Sequence, residues 1–205
     1  MSDIAVVPLS NAIGAEIRGV DLREPLTADA ARTIEQAWYD HVVIVLRDQD
    51  ISLDQQKVFA ANFGEIAIRQ RTGATAAERA LGDNVMLVSN IRENGEQIGK
   101  LPDGEMMFHS DTPYFENPQK ATLLYAIEVP TEGGETLFLT PNKLRVRPRR
   151  GQVLAFPANA NYLHAGADPI SNDKYIVTTF VTFCTIGEPH PVKPLPLDMR
   201  EELGQ

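Results

Sequence analysis

The chain has 205 residues, of which 43% are apolar and 23% are charged, and its formal net charge is −9 at pH 7. This length predicts a single domain, and the apolar share is ordinary for a globular protein with a sizeable core. The acidic surplus repels nucleic acid and anionic lipid, so we expect neither as a partner. The apolar run at residues 42–46 is far shorter than the roughly 20 residues that span a bilayer. The start of the chain does not resemble a secretory signal, and its single cysteine suits a reducing compartment, so we expect a cytoplasmic protein.

The first part of the chain mixes helices with strands. Apolar positions recur at helical spacing over residues 28–40, directly after Thr27, which is a natural N-cap. The β-branched run at residues 42–46 predicts a buried strand. Residues 52–55 and 75–78 both have the form of a capping box, which predicts that a helix begins at each of them.

From residue 85 onward, short apolar segments alternate with turn signals, and this pattern predicts a sandwich or a barrel. The candidate strands are residues 85–89, 106–111, 121–129, 136–139, 153–156 and 175–183. The predicted fold class is therefore mainly β with flanking helices. We expect one domain over residues 1–205, in which residues 1–84 pack on a core at residues 85–187 and residues 188–205 form an extended, Pro-rich tail.

Two of the four histidines stand in a pattern that suits metal binding. His109 and Asp111 are two residues apart in a predicted strand, so their side chains point to the same face. His164 follows after a further strand and a loop and is able to supply a third ligand. Two imidazoles and one carboxylate form the facial triad of non-haem Fe(II) oxygenases, whose open positions take a co-substrate and O₂. A His-x-Asp pair in a strand is also common as a structural feature, and spacing alone leaves that alternative open.

Motif segments in the first two thirds of the chain occur in the order of a known family. These segments are residues 8–9, 13–17, 19–22, 25–26, 41–43, 46–49, 63–65, 108–111 and 129–137. Over residues 1–140 the chain resembles the taurine/2,4-dichlorophenoxyacetate dioxygenase family of Fe(II)/2-oxoglutarate enzymes. The resemblance implies a double-stranded β-helix (jelly-roll) core with His109 and Asp111 as iron ligands. It also implies that Thr136 offers its hydroxyl to a carboxylate of 2-oxoglutarate.

The last third resembles a different branch of the same superfamily. Residues 147–156 look like the strand before the distal histidine of prolyl-hydroxylase-like members, and residues 164–169 look like the segment that this histidine begins. By this resemblance His164 is the third iron ligand, and Lys174, ten residues on, binds the far carboxylate of 2-oxoglutarate. A buried carboxylate without such a counter-charge is costly. The resembled family has a long, partly helical stretch after the strand near Thr140, and its absence predicts a reduced substrate lid.

Substrate contacts are suggested by their position around the iron motif. The candidates are Arg69, Arg71, Asn90, Arg92, Glu105 and Tyr114. Arg69 and Arg71 fall in a segment that faces the substrate in the resembled family, where they suit an anionic group such as a sulfonate or a carboxylate. A solvated loop is the alternative interpretation of these two arginines.

The resemblance implies an enzyme that uses Fe(II), 2-oxoglutarate and O₂ to hydroxylate a small organic acid, such as a sulfonate or an aryloxy acid, with release of succinate and CO₂. Two alternatives stay open. The ending of the chain is compatible with an amino-acid or peptidyl hydroxylase of the same superfamily. A jelly roll that binds metal or 2-oxoglutarate without turnover is the alternative outside the enzymes. Relatives commonly form dimers or tetramers, so a homo-oligomer is also left open.

Overall fold

The computed structural model describes residues 4–68, 74–101, 106–111 and 119–183, and these are mostly β with few helices, as predicted. The helices are α1 (Ala28–His41), α2 (Leu53–Ala60) and α3 (Ala76–Leu81). The strands are β1 (Ala5–Pro8), β2 (Ala15–Arg18), β3 (Ile44–Leu46), β4 (Glu65–Ile66), β5 (Val85–Ser89), β6 (Arg92–Glu93), β7 (Glu96–Gln97), β8 (Met106–His109), β9 (Gln119–Glu128), β10 (Thr136–Phe138), β11 (Arg145–Val146), β12 (Gln152–Pro157), β13 (His164–Gly166) and β14 (Tyr175–Thr182). The predicted tail at residues 188–205 lies outside the described residues.

Each helix begins at the N-cap that the sequence predicts. The Thr27 side chain accepts a hydrogen bond from a backbone N–H in the first turn of α1. Ser52 and Gln55 form both halves of a capping box at α2, and Thr75 and Glu78 form a second one at α3. These side chains satisfy N–H groups that have no partner inside the helix, so they fix where each helix starts. Among the described residues, no helix has both the length and the apolar character that crossing a membrane requires.

The larger sheet has the strand order β1-β2-β3-β12-β9-β14-β4, and β5 also pairs with β14. β3 is fully buried, lies between β2 and β12, and pairs with β12 in the antiparallel direction. The strands β1 to β4 therefore belong to the same sheet as β9, β12 and β14.

The two faces of the larger sheet contact different apolar clusters, because successive side chains of a strand point to opposite faces. Val153 of β12 packs in a cluster with Trp38 of α1 and Phe59 of α2. The next residue, Leu154, packs in a cluster with Phe138 of β10. The helices thus cover one face of the larger sheet, and the smaller sheet covers the other.

The smaller sheet has the strand order β11-β10-β13-β8. Its register places Phe138 of β10 opposite His164 of β13, and His164 opposite His109 of β8. His164 follows the strand β12 and a loop, as the sequence predicts, and the structure adds that it is the first residue of a short strand. This pairing brings the two histidines side by side although they are distant in sequence.

Candidate active site

Three side chains with metal-ligand chemistry meet at the edge of the smaller sheet. His109 is the last residue of β8, Asp111 follows it in a bend, and His164 begins β13. One ligand atom from each residue lies within 4.8 Å of the others. Nε2 of His109 is 3.5 Å from Oδ1 of Asp111, and Nε2 of His164 is 3.5 Å from Oδ2 of the same carboxylate. Two imidazole nitrogens and a carboxylate thus face one point, which is a donor set suited to Fe(II).

Neighbouring groups orient the two imidazole rings. Their ring centres lie 4.4 Å apart across the paired strands. Nδ1 of His109 lies 2.8 Å from the backbone oxygen of Met107, so Nε2 is the ring nitrogen that faces Asp111. The ring of His164 packs against Phe156 of β12, with ring centres 4.5 Å apart. The rings are therefore held by strand pairing, a backbone contact and aromatic packing.

The carboxylate of Asp111 is held by a hydroxyl from the larger sheet. Thr122 of β9 donates a hydrogen bond to Oδ2 of Asp111 at 2.5 Å. The sequence predicts that His109 and Asp111 share one face of a continuous strand, but β8 ends at His109. The two side chains do converge, and the cause is the bend after β8 together with the contact to Thr122.

Two of the three pKa shifts at the triad, those of Asp111 and His164, favour metal binding, and the shift of His109 opposes it. Burial acts to raise the pKa of Asp111, but hydrogen bonds from His109 and Thr122 and the charge of His164 outweigh it and hold that pKa below its ordinary value. Burial also lowers the pKa of His164, whereas the hydrogen bond with Asp111 raises the pKa of His109. An ionised carboxylate and a neutral imidazole are the forms that bind a divalent metal, so His109 is the ligand that competes most with protons.

A cavity opens beside the triad and is bounded by both sheets. It contains about 490 Å³ of space without protein atoms, part of it open to solvent. The apolar part of its described lining includes Met86, Val88, Leu101, Met106, Leu124 and Ile176. The polar part, beyond the triad, consists of Thr122, Thr136, Thr178 and Lys174. The cavity therefore offers a mostly apolar surface with a few polar groups, as small-molecule sites commonly do.

Lys174 brings a buried cation into this cavity. Only 2% of its surface is exposed, and its Nζ donates a hydrogen bond of 2.8 Å to the backbone oxygen of Gly134. Burial lowers its pKa to about 8, and the charge of Glu135 offsets this only in part. Among the described residues that line the cavity, Lys174 is the one cation, and it suits the carboxylate of a bound ligand.

The structure gives the positions of two of the predicted substrate contacts. Asn90 is outside the described lining of the cavity: its Oδ1 accepts from the backbone N–H of Lys174 at 2.8 Å, and its Nδ2 donates to Asp173. Arg92 lies on the exposed strand β6 and contacts the backbone oxygen of Gly95. The remaining candidates, Arg69, Arg71, Glu105 and Tyr114, lie outside the described residues.

Two polar residues of the cavity are missed by the sequence reasoning. Thr122 and Thr178 both point inward from strands whose other inward residues are largely apolar, such as Leu124 and Ile176. A hydroxyl that interrupts an inward apolar row is the signal that would have found them.

Residues 5–139 match the model of the family described as taurine catabolism dioxygenase TauD, TfdA family. The match covers well over half of the chain, and it includes the first two residues of the triad. The chain belongs to this family of dioxygenases.

Curated relatives match the same part of the chain. It is 34% identical over 139 residues to the alpha-ketoglutarate-dependent 2,4-dichlorophenoxyacetate dioxygenase of Cupriavidus pinatubonensis, with 64% of this chain and 48% of that protein covered. It is also 34% identical over 139 residues to pentalenolactone F synthase of Streptomyces avermitilis, with 66% and 44% covered. An alpha-ketoglutarate-dependent sulfate ester dioxygenase of Pseudomonas putida is 31% identical over 137 residues, with 66% and 41% covered. The match thus spans less than half the length of each of these relatives.

Solved structures show the same fold over nearly the whole chain. A taurine dioxygenase from Burkholderia xenovorans superposes with a TM-score of 0.68 at 18% identity, covering 88% of this chain and 91% of that one. The structure of AAD-2 in complex with Mn(II) and N-oxalylglycine superposes with a TM-score of 0.69 at 18% identity, covering 92% of this chain and 99% of that one. The predicted jelly-roll core is therefore confirmed.

Proposed function

We propose that this chain is an Fe(II)/2-oxoglutarate-dependent dioxygenase that hydroxylates a small organic acid and releases succinate and CO₂. The observation that carries the proposal is the convergence of His109, Asp111 and His164 beside a cavity that also contains the buried cation of Lys174. A metal triad alone fits many chemistries. A triad and a buried cation that share one cavity fit a co-substrate with two anionic ends.

The residues of the triad fit Fe(II) by their chemistry. Their nitrogen and oxygen atoms suit this metal, and ligands from one side leave coordination positions open toward the cavity. In the proposed enzyme His109, Asp111 and His164 hold the iron. When bound, iron together with 2-oxoglutarate and O₂ would supply the oxidant that hydroxylates a C–H bond.

The distance between the triad and Lys174 suits 2-oxoglutarate. A Cβ atom built on Gly166 would lie 4.0 Å from Nζ of Lys174. Gly166 is two residues from His164 along β13, a separation of about 7 Å in a strand. A short keto diacid that contacts the metal at its keto-acid end would extend its far carboxylate toward this ammonium. Thr136, which is buried in the same lining, would offer a second contact to that carboxylate.

The other lining residues would orient the reactants and exclude water. Lys174 would hold its proton to neutralise the far carboxylate, while Gly134 keeps the ammonium aimed into the cavity. Apolar side chains such as Met86 and Leu124 would keep bulk water away from the reacting atoms. The charge interactions at the triad are stronger in such a site than in water.

The substrate class is supported by the names of the relatives, which act on an aryloxy acid and on sulfate esters. An anionic substrate needs a cation beyond Lys174, and we propose Arg69 and Arg71 for that role. An amino-acid or peptidyl substrate is the second candidate, and the spacing from His164 to Lys174 favours it. The proposed reaction takes place in the cytoplasm, which the single cysteine of the chain supports.

Anaerobic spectroscopy tests the proposal. Fe(II) and 2-oxoglutarate added together should give a weak visible charge-transfer band, and His109→Ala should abolish it. A band that survives in His109→Ala would contradict the assignment of the triad. Release of succinate should then be measured with panels of sulfonates, aryloxy acids and amino acids. A band without succinate release in any panel would favour a binding protein over an enzyme.

A further inference from the structure

The described lining of the cavity contains one polar side chain to which the proposed function gives no role. Thr178 lies in the middle of β14, lines the cavity, and has no solvent-exposed surface. Its Oγ1 has no hydrogen-bond partner among the described residues. A buried hydroxyl without a partner is unfavourable, so it points to a partner that arrives from the cavity.

The other polar groups that face this cavity from the larger sheet differ from Thr178. The hydroxyl of Thr122 already donates to Asp111, and the ammonium of Lys174 already donates to the backbone oxygen of Gly134. The nearest apolar neighbours of Thr178 across the strands are Leu124 on β9 and Met86 on β5, which offer no acceptor from their side chains. The hydroxyl of Thr178 is thus available to a ligand.

Strand geometry places Thr178 between the two ends of the proposed co-substrate site. Lys174, Ile176 and Thr178 occupy alternate positions, so all three face the cavity. Thr178 is paired with Leu124, and Thr122 is the next inward residue of β9. Such diagonal neighbours lie about 7–8 Å apart, and Thr122 contacts the triad through Asp111. A molecule that reaches from the triad to Lys174 therefore passes the hydroxyl of Thr178.

We propose that Thr178 is a binding residue for 2-oxoglutarate, whose hydroxyl donates a hydrogen bond to an oxygen at the keto-acid end of the molecule. This inference rests on the proposed function and adds to it a contact near the metal, opposite to the contact at Lys174. All the oxygens at that end accept hydrogen bonds, and a threonine hydroxyl is able to donate one while it stays buried.

Thr179 provides a matched control on the same strand. It is also fully buried, and its Oγ1 also lacks a partner among the described residues. It is outside the described lining of the cavity, because successive side chains of β14 face opposite ways. Thr178→Val and Thr179→Val therefore remove the same group from neighbouring positions with nearly the same shape, and only the first change faces the cavity.

The experiment titrates 2-oxoglutarate into protein loaded with Mn(II), by calorimetry, for the wild type, both valine variants and Thr178→Ser. We expect Thr178→Val to raise the Kd of 2-oxoglutarate about tenfold, as loss of a hydrogen bond to a charged acceptor should. Thr179→Val should stay within about twofold of the wild type, and Thr178→Ser should recover most of the affinity. The affinity for Mn(II) alone should be unchanged in all the variants.

Thermal unfolding of the metal-free variants checks that the fold is intact. Removal of an unsatisfied buried hydroxyl should leave the unfolding temperature of Thr178→Val equal to or above that of the wild type. If the affinity for 2-oxoglutarate is unchanged in Thr178→Val, or falls equally in both valine variants, the inference about Thr178 is overturned and the proposed function is not. A wild-type protein that binds no 2-oxoglutarate would overturn this inference and the proposed function together.

Discussion

The candidate site is assembled from two regions of the chain that differ in how well their sequences match known proteins. Residues 5–139 match the family model and contain His109, Asp111 and Thr136. Residues 140–183 follow the end of that match, yet they contain His164, Lys174 and Thr178. Solved structures of the same fold nevertheless cover most of the chain, including much of this second region. The comparison teaches that the fold extends beyond the part that is recognised by sequence, and that the site needs both regions.

The two regions also divide the work of the site. The first region provides the carboxylate of Asp111 and the hydroxyl of Thr122 that holds it. The second provides the buried cation of Lys174. Among the described residues, His164 is the residue of the second region that belongs to the candidate metal triad. We therefore expect changes at Lys174 to affect the co-substrate and changes at Thr122 to affect the metal.

The largest effect is expected from Lys174→Met, which should weaken 2-oxoglutarate at least about a hundredfold, because a buried carboxylate loses its counter-charge. Metal affinity should change little, and calorimetry measures both constants. The pKa of about 8, against an ordinary 10.5, implies that burial of the charge costs the folded protein about 3 kcal/mol at neutral pH. The variant should therefore resist urea better than the wild type. Equal 2-oxoglutarate affinity in the variant and the wild type would remove Lys174 from the site.

The next effect is a pH dependence that belongs to the second region. Since the pKa of Lys174 in the protein without ligand is about 8, the ammonium that we propose as the partner of the carboxylate is lost as the pH rises through that value. The Kd of 2-oxoglutarate should rise about tenfold for each pH unit above it. The arginine of Lys174→Arg keeps its charge, so the affinity of this variant for 2-oxoglutarate should not change between pH 7 and about 9, even if it is weaker than that of the wild type at pH 7. The same slope in both proteins would assign the titration to another group.

A rise in pH should weaken the binding of 2-oxoglutarate but increase the folding stability of the metal-free protein. The unfolded chain binds a proton at Lys174 up to its ordinary pKa of 10.5, whereas the folded chain releases it at about 8. Between these values the unfolded state binds more protons, so the folded state gains stability as the pH rises. Lys174→Met is expected to be more stable than the wild type at pH 7. Urea unfolding of both metal-free proteins, in steps from pH 7 to about 10, should show the difference between their free energies of unfolding become smaller.

The smallest effect, expected from Thr122→Val, belongs to the first region. Without the hydroxyl of Thr122, the carboxylate of Asp111 loses the contact that orients it, and the affinity for Fe(II) or Mn(II) should fall about tenfold. The affinity of 2-oxoglutarate for the metal-loaded protein should change much less. Thr122→Ser keeps a hydroxyl and should restore metal binding, which a role in strand packing alone would not explain. Loss of metal affinity in both variants would assign Thr122 to packing.

Local signals in the sequence predict much of this molecule. The N-caps at Thr27, Ser52 and Thr75 and the strand at β5 agree with the structure, because each depends on residues that are close in sequence. A spacing of two residues draws attention to His109 and Asp111, and the family resemblance implies them as ligands, but the bend after β8 brings them together. In contrast, β1, β2 and β13 are not predicted, since strands of three or four residues carry little periodic signal and are fixed by their partners.

The rest of the site depends on contacts between distant residues. Thr122 is recognised as a partner of Asp111 only when β9 is placed beneath the triad. Asn90 is recognised as a partner of the Lys174 backbone only when β5 pairs with β14. The sequence predicts Asn90 as a substrate contact, and the structure shows that its side chain accepts a hydrogen bond from the backbone of Lys174. The register of strand pairing determines such contacts, and no short sequence motif specifies that register.

The central position of β3 has a consequence for how the chain reaches this fold. Its partner β12 is more than 100 residues away in sequence, and the sheet is incomplete until that strand arrives. During synthesis the edge of the apolar strand at residues 44–46 that pairs with β12 therefore stays unpaired until β12 has been made. An unpaired apolar strand edge is prone to aggregation. Contacts over such separations also slow folding. A shortened chain that lacks residues 1–84 would leave the edge of β12 uncovered, so neither part of the sequence is expected to form an autonomous folding unit.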